Sequence, residues 1–194
     1  MTTRGVHTAS NFNIANALTM LRLAAVPLLV WLMIQGSQGN DGARDAAAAV
    51  FLAASLTDLL DGALARRRGL ETPLGAILDP IADKALIGVA LIGLSWMGDL
   101  WWWVTIVILV RELVVTGLRL WVARDHVIPA SRGGKLKTLL QTIAITMYLA
   151  VVPVPGWWEV AHVVMGAAVI VTVVTGVAYI RQVRLIRLFS SKSA

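Results

Sequence analysis

The 194-residue sequence predicts an all-α protein, an integral membrane bundle of six transmembrane helices with both termini cytoplasmic. Three observations predict it. The first is composition: 58% of the residues are hydrophobic and the mean hydropathy is +0.76, far more apolar than an average soluble domain. The second is segment length, because six apolar stretches approach the ~20 residues needed to cross ~30 Å of hydrocarbon. The third is charge placement. Of the 17 basic residues, only Arg44 falls opposite the amino terminus once the six stretches are threaded back and forth.

Met1 to Asn13 are polar and lack the apolar core and small-residue cleavage site of a signal peptide. A short cytoplasmic segment, 1–14, is therefore expected to precede a first helix that stays in the protein. The spans are expected at 15–35, 44–66, 74–97, 100–123, 136–153 and 158–181. Gly36 to Gly42 separates the first two, and Arg67 to Pro73 the second from the third. Met97 to Asp99 precedes the fourth, the polar run from Arg124 to Gly134 the fifth, and Pro153 to Gly156 the sixth. Trp101 to Trp103 and Trp157-Trp158 fall at the outer interface, where amphipathic rings are favoured. Ala46 to Ala49, Gly88, Gly93, Gly166 and Gly176 are small enough to let helices approach closely in lipid. No repeat or soluble module interrupts this pattern, so residues 1–194 read as one membrane domain.

Several functions are excluded by composition. With no cysteine there are no disulfides, thiolate metal sites or cysteine nucleophiles. The net charge of +6 does not point to nucleic acid, because the basic residues lie between apolar spans instead of forming one face of a soluble module. His7, His126 and His162 show no ligand spacing.

The stretch from Asp58 to Asp83 is where the chemistry concentrates. Ionisable groups at membrane depth cost several kcal/mol unless paired, hydrated or metal-bound, so they mark function by default. On the second helix Asp58, Asp61, Gly62, Ala65 and Arg66 fall within an arc of about 140 degrees, which makes the motif one face. On the third helix Gly75, Asp79 and Asp83 are spaced by four and climb nearly one above another. A short cytoplasmic turn would bring the two faces together, and Gly62 and Gly75 would leave backbone open for a ligand.

Four converging carboxylates repel one another unless cations neutralise them. Oxygen-only ligation favours hard divalent ions, magnesium first, with manganese or calcium as alternatives. Two metals are the arrangement expected for displacement at phosphorus. Arg66 is placed to grip a pyrophosphate, and one aspartate not fully engaged by metal is placed to take a proton from an attacking hydroxyl. A cation transporter or channel is the rival from another class, since rings of acids line such pathways. It would not require Gly62, Ala65, Arg66 and Gly75 in fixed order, and it would set the acids at the midplane.

The pattern D-x-x-D-G-x-x-A-R, eight residues, G-x-x-x-D-x-x-x-D is filled throughout by Asp58, Asp61, Gly62, Ala65, Arg66, Gly75, Asp79 and Asp83. It resembles the signature of the CDP-alcohol phosphotransferase family. The resemblance implies a six-helix membrane fold, usually homodimeric, that displaces CMP from a CDP-linked donor by an alcohol. It implies that Asp58, Asp61, Asp79 and Asp83 bind two Mg2+ (or Mn2+), that Asp83 is also the base, and that Gly62, Ala65, Arg66 and Gly75 line the cytidine diphosphate site.

Outside the signature, Asn13-Ile-Ala-Asn16-Ala-Leu-Thr19-Met-Leu-Arg22 is similar to the opening of the branch of the family that takes glycerol 3-phosphate as acceptor, although that branch often has Pro where Ala15 stands. Arg111-Glu112, Gly117-Leu-Arg119, Gly134-Lys135-Leu-Lys137-Thr138 and Gln141 are similar to its middle section. Arg111, Arg119, Lys135 and Lys137 are then candidates for the acceptor's phosphate, and simple positive-inside anchoring is the alternative for each. Glu112 is expected to pair with a neighbouring arginine and hold it. The implied donor is CDP-diacylglycerol. Inositol phosphate, serine or phosphatidylglycerol are the other acceptors the family pattern allows, and the implied location is the bacterial inner membrane with the site facing the cytoplasm.

Overall fold

The computed structural model describes residues 14–68, 73–122 and 132–190. Among them are six α-helices and no strand: α1 (Ile14–Ser37), α2 (Asp41–Arg68), α3 (Pro73–Trp96), α4 (Trp102–Val122), α5 (Arg132–Leu149) and α6 (Trp157–Ser190). Each expected span is a helix, and the differences are at the ends. α5 stops at Leu149 instead of running to 153, since Pro153 has no N–H to give and disfavours helical geometry in the residue before it. α6 continues well past 181, because the stretch from Arg181 to Ser190 holds neither Gly nor Pro and is rich in good helix formers.

The turns are built by their sequences. Gly39, between α1 and α2, has φ +90°, and Gly98, between α3 and α4, has φ +83°. Side chains rarely adopt that left-handed conformation, which glycine reaches without penalty. After Gly98 the N–H groups of Asp99 and Leu100 both return to the carbonyl of Leu94, satisfying the end of α3. Asn40 caps the start of α2, its Oδ1 accepting from the Ala43 N–H at 3.0 Å.

The chain divides into two compact units, residues 1–90 and 91–194, with the break within α3. In the first unit α1 packs on α2. Leu29, Leu32 and Met33 of α1 are buried, as are Ala43, Ala47, Ala48 and Phe51 of α2, so the large buried side chains of α1 are matched mainly by alanines on α2. Gly36 leaves room for the stem of Arg44. A Cβ there would stand 2.6 Å from Cγ of Arg44.

In the second unit α6 packs on both α4 and α5. Ile108 of α4, Ala144, Ile145 and Tyr148 of α5, and Ala161, Met165 and Ala168 of α6 are all buried. The Trp157 indole donates to the carbonyl of Met147 at 2.9 Å and fixes the start of α6 against α5. Ser95 and Thr105 share a buried hydrogen bond of 2.7 Å, and Thr105 also donates to the carbonyl of Leu91 at 3.2 Å.

Of the six expected spans, two among the described residues, over Ala17–Ser37 and Trp157–Leu185, are long and apolar enough to cross a bilayer by length and composition. Large apolar side chains face outward on several helices, Val163 at 71% and Leu113 at 67% exposure among them. In water such surface is penalised, whereas acyl chains accept it.

Candidate active site

All the signature positions lie on two helices. Asp58, Asp61, Gly62, Ala65 and Arg66 are in the helical backbone of α2, and Gly75, Asp79 and Asp83 are in α3. Each helix is continuous across its motif, and on α3 the spacing of four sets Asp79 and Asp83 one turn apart. The side chains from Asp58 to Arg66, and Gly75, lie outside the described residues, as does the amino-terminal segment 1–13.

Asp79 and Asp83 are described. Asp79 is exposed and Asp83 half-buried, one helical turn apart. The Thr19 hydroxyl, only 2% exposed on α1, donates to Oδ1 of Asp79 across 60 residues of sequence. A carboxylate has about four lone-pair positions, so this bond holds one oxygen in place and leaves acceptor capacity for a cation. Among the described residues no three Asp, Glu or His gather into a metal site. The donor set nevertheless suits a divalent ion: two hard carboxylates on one turn, one of them solvent-facing and oriented by a buried hydroxyl.

Thr19 is a residue to which sequence reasoning gave no role. Arg22, three positions further along α1, is likewise only 2% exposed. A hydroxyl and a guanidinium at spacing i, i+3 in a predominantly apolar helix was the available signal.

The cations of the second unit divide into two groups. Arg119 and Lys135 are exposed. Arg111 and Lys137 are instead drawn together by Glu112. Its Oε1 accepts from Arg111 Nη1 at 3.0 Å and pairs with Lys137, which is 5% exposed. The expected pairing of Glu112 with a neighbouring arginine is thus present, and extends to a lysine 25 residues away. Two cations gathered about one carboxylate suit an incoming phosphate.

Two further contacts hold Arg111. Its Nε donates to the carbonyl of Thr172 at 3.1 Å, and its Nη2 to the hydroxyl of Thr175 at 2.9 Å. Gln141 is fully buried beside them, its Nε2 donating to Thr172 Oγ1 at 3.1 Å. Thr172 passes its own hydroxyl proton to the carbonyl of Ala168 at 2.6 Å. A polar seam therefore joins α4, α5 and α6, with an arginine at its edge.

The family model described as CDP-alcohol phosphatidyltransferase matches residues 12–174. A protein of Mycobacterium tuberculosis (strain H37Rv) named probable phosphatidylglycerophosphate synthase is 54% identical over 169 residues, 87% of this chain and 80% of that protein. Two proteins named CDP-diacylglycerol--glycerol-3-phosphate 3-phosphatidyltransferase are also similar. The one from Bacillus subtilis is 39% identical over 148 residues, 71% of this chain and 77% of its own length. That from Rickettsia typhi is 35% identical over 173 residues, 87% of this chain and 96% of its own length.

Proposed function

Because the chain belongs to the CDP-alcohol phosphatidyltransferase family, we propose that it transfers the phosphatidyl group of CDP-diacylglycerol to sn-glycerol 3-phosphate, yielding phosphatidylglycerophosphate and CMP. Relatives from several bacteria carry the name of this activity. The primary hydroxyl of glycerol 3-phosphate attacks the lipid-side phosphorus. Asp83 takes the hydroxyl proton as the new P–O bond forms, and the bond to the CMP phosphate breaks. Arg66 offsets charge on the leaving nucleotide, and Gly62, Ala65 and Gly75 leave room for it against the helices.

The family generally uses divalent metals. Asp58, Asp61, Asp79 and Asp83 are the residues that would hold them, two magnesium ions in this reading, supplying positive charge for the phosphoryl oxygens. Thr19 keeps one oxygen of Asp79 in position for that purpose. Arg111, Arg119, Lys135 and Lys137 bind the acceptor's phosphate.

An amphipathic donor and a polar acceptor call for a protein in a membrane with its chemistry at one surface. The reading is accordingly a single domain of six spans in the bacterial inner membrane, termini and site at the cytoplasmic side, assembled as a homodimer. The outward-facing apolar side chains support the membrane setting.

The observation that carries the choice of acceptor is the gathering of Arg111 and Lys137 about Glu112. Two cations tied to one acid suit a phosphorylated alcohol, whereas serine would need no such pair. Detergent-solubilised protein given CDP-diacylglycerol and one acceptor at a time, with CMP release measured, tests this. Glycerol 3-phosphate should support the fastest release. Faster release with inositol phosphate or serine would overturn the assignment.

A further inference from the structure

In the sequence the sixth span carries only generic apolar character, yet α6 supplies the bed on which Arg111 lies. Three features of one turn of that helix meet a single side chain: the carbonyl of Thr172, the hydroxyl of Thr175 and the bare backbone of Gly176. A Cβ at position 176 would stand 3.0 Å from Cγ, 3.3 Å from Nε and 3.7 Å from Cδ of Arg111. The arginine stem therefore runs across α6 at a spot where a methyl group would press on it.

The directions of these bonds are set independently of any ligand. Thr175 gives its hydroxyl proton to the carbonyl of Val171 at 2.7 Å, so its oxygen presents lone pairs, not a proton, to Arg111 Nη2. Nε is committed to Thr172 and Nη1 to Glu112. A planar guanidinium held at all three nitrogens can neither swing nor rotate. Among the described residues these bonds use three of its five N–H donors, and the others suit an anion. If Arg111 were only a clamp between α4 and α6, Glu112 would neutralise it and the site would close. Lys137, nearly buried on the same carboxylate, adds a second charge that a clamp does not need.

We propose that Thr175 and Gly176 of α6, together with Glu112, are positioning residues that hold Arg111 and Lys137 in place for the acceptor's phosphate, so that α6 governs affinity for a phosphorylated acceptor. The proposal rests on the reading above that these cations bind the acceptor. Thr175→Val keeps the side chain's shape and removes the oxygen. Gly176→Ala adds the methyl group that presses on Arg111.

The test uses full-length protein in nanodiscs, with KM measured separately for glycerol 3-phosphate and CDP-diacylglycerol by CMP release. Each variant should raise KM for glycerol 3-phosphate about tenfold, the effect of one hydrogen bond to a charged group. KM for CDP-diacylglycerol should stay within about twofold, and Thr175→Ser, which keeps the hydroxyl, should restore the wild-type value. Both KM values rising alike, or neither moving, would overturn the proposal. Should Gly176→Ala not fold, Thr175→Val and Thr175→Ser still decide it. If the wild type prefers another phosphorylated acceptor and the selective rise appears on that one, the positioning by α6 stands and the choice of glycerol 3-phosphate falls. A preferred acceptor without phosphate would overturn both.

Discussion

The acids of residues 1–90 and the cations of residues 91–194 are organised by different rules. Asp79 and Asp83 follow from one helix, one turn apart, and their common face is readable from spacing alone. Arg111 owes its position to Thr172 and Thr175, 61 and 64 residues away, and to Glu112, which also binds Lys137. A single-helix motif survives small shifts between helices, because its geometry is internal. A seat built from three helices does not, so the second unit should tolerate less change at residues that look unremarkable in sequence.

The largest effect is expected where the chemistry has no substitute. Asp83→Asn should lower transfer by at least about 10³-fold, toward the upper part of the range for a general base, while CDP-diacylglycerol still binds. Single-turnover CMP release together with a donor-binding measurement checks it. Turnover retained within tenfold would remove Asp83 from the role of base.

Glu112→Gln comes next and separates two accounts of the cation group. If Glu112 merely competes with phosphate for Arg111 and Lys137, neutralising it should lower KM for glycerol 3-phosphate. If it sets their spacing, the two cations lose their common anchor and KM should rise, by roughly 10²-fold given the cost of breaking a buried pair. The second outcome is expected. Because the two accounts differ in sign, a measured KM for each substrate decides between them.

Much of this was legible in the sequence because helices convert spacing into direction. The six helices, the placement of Asp79 and Asp83 one turn apart and the pairing of Glu112 with an arginine all follow from local periodicity and local charge. The roles of Thr19, Thr175 and Gly176 were not legible, for a common reason. A threonine in an apolar helix usually returns its proton to the carbonyl one turn back, as Thr172 does to Ala168, and nothing local distinguishes one that also serves a distant charge. Gly176 likewise reads as a packing glycine until the arginine beside it is known. The ends of α5 and α6 differed from expectation because apolar content, which sets the length of a span, is not what stops a helix.

Thr19→Val carries the comparison back to the acids with a smaller effect. Loss of the hydroxyl that steadies Asp79 should raise the magnesium concentration for half-maximal activity about tenfold, the low end for an outer-shell partner of a metal ligand. KM for glycerol 3-phosphate should not move. A shift in acceptor KM without any shift in metal requirement would show that Thr19 serves the other substrate.

The smallest effect is expected at a polar pair that belongs to neither group. Ser95 and Thr105 are both buried, and Thr105 keeps its bond to the carbonyl of Leu91 when the serine hydroxyl is removed. Ser95→Ala therefore orphans no donor and should cost about 0.6 kcal/mol, the mean for interhelical hydrogen bonds in membrane proteins, with both KM values unchanged. Thr105→Val removes both bonds at once and should cost about twice as much by the same measure. Thermal unfolding of the two variants, beside the kinetics of Thr175→Val, then asks whether a buried threonine bond in this unit acts on stability or on acceptor affinity. Thr105→Val should lower only the unfolding midpoint and Thr175→Val should raise only the acceptor KM. The same pattern from both variants would mean that the bond to Arg111 is helix packing and nothing more.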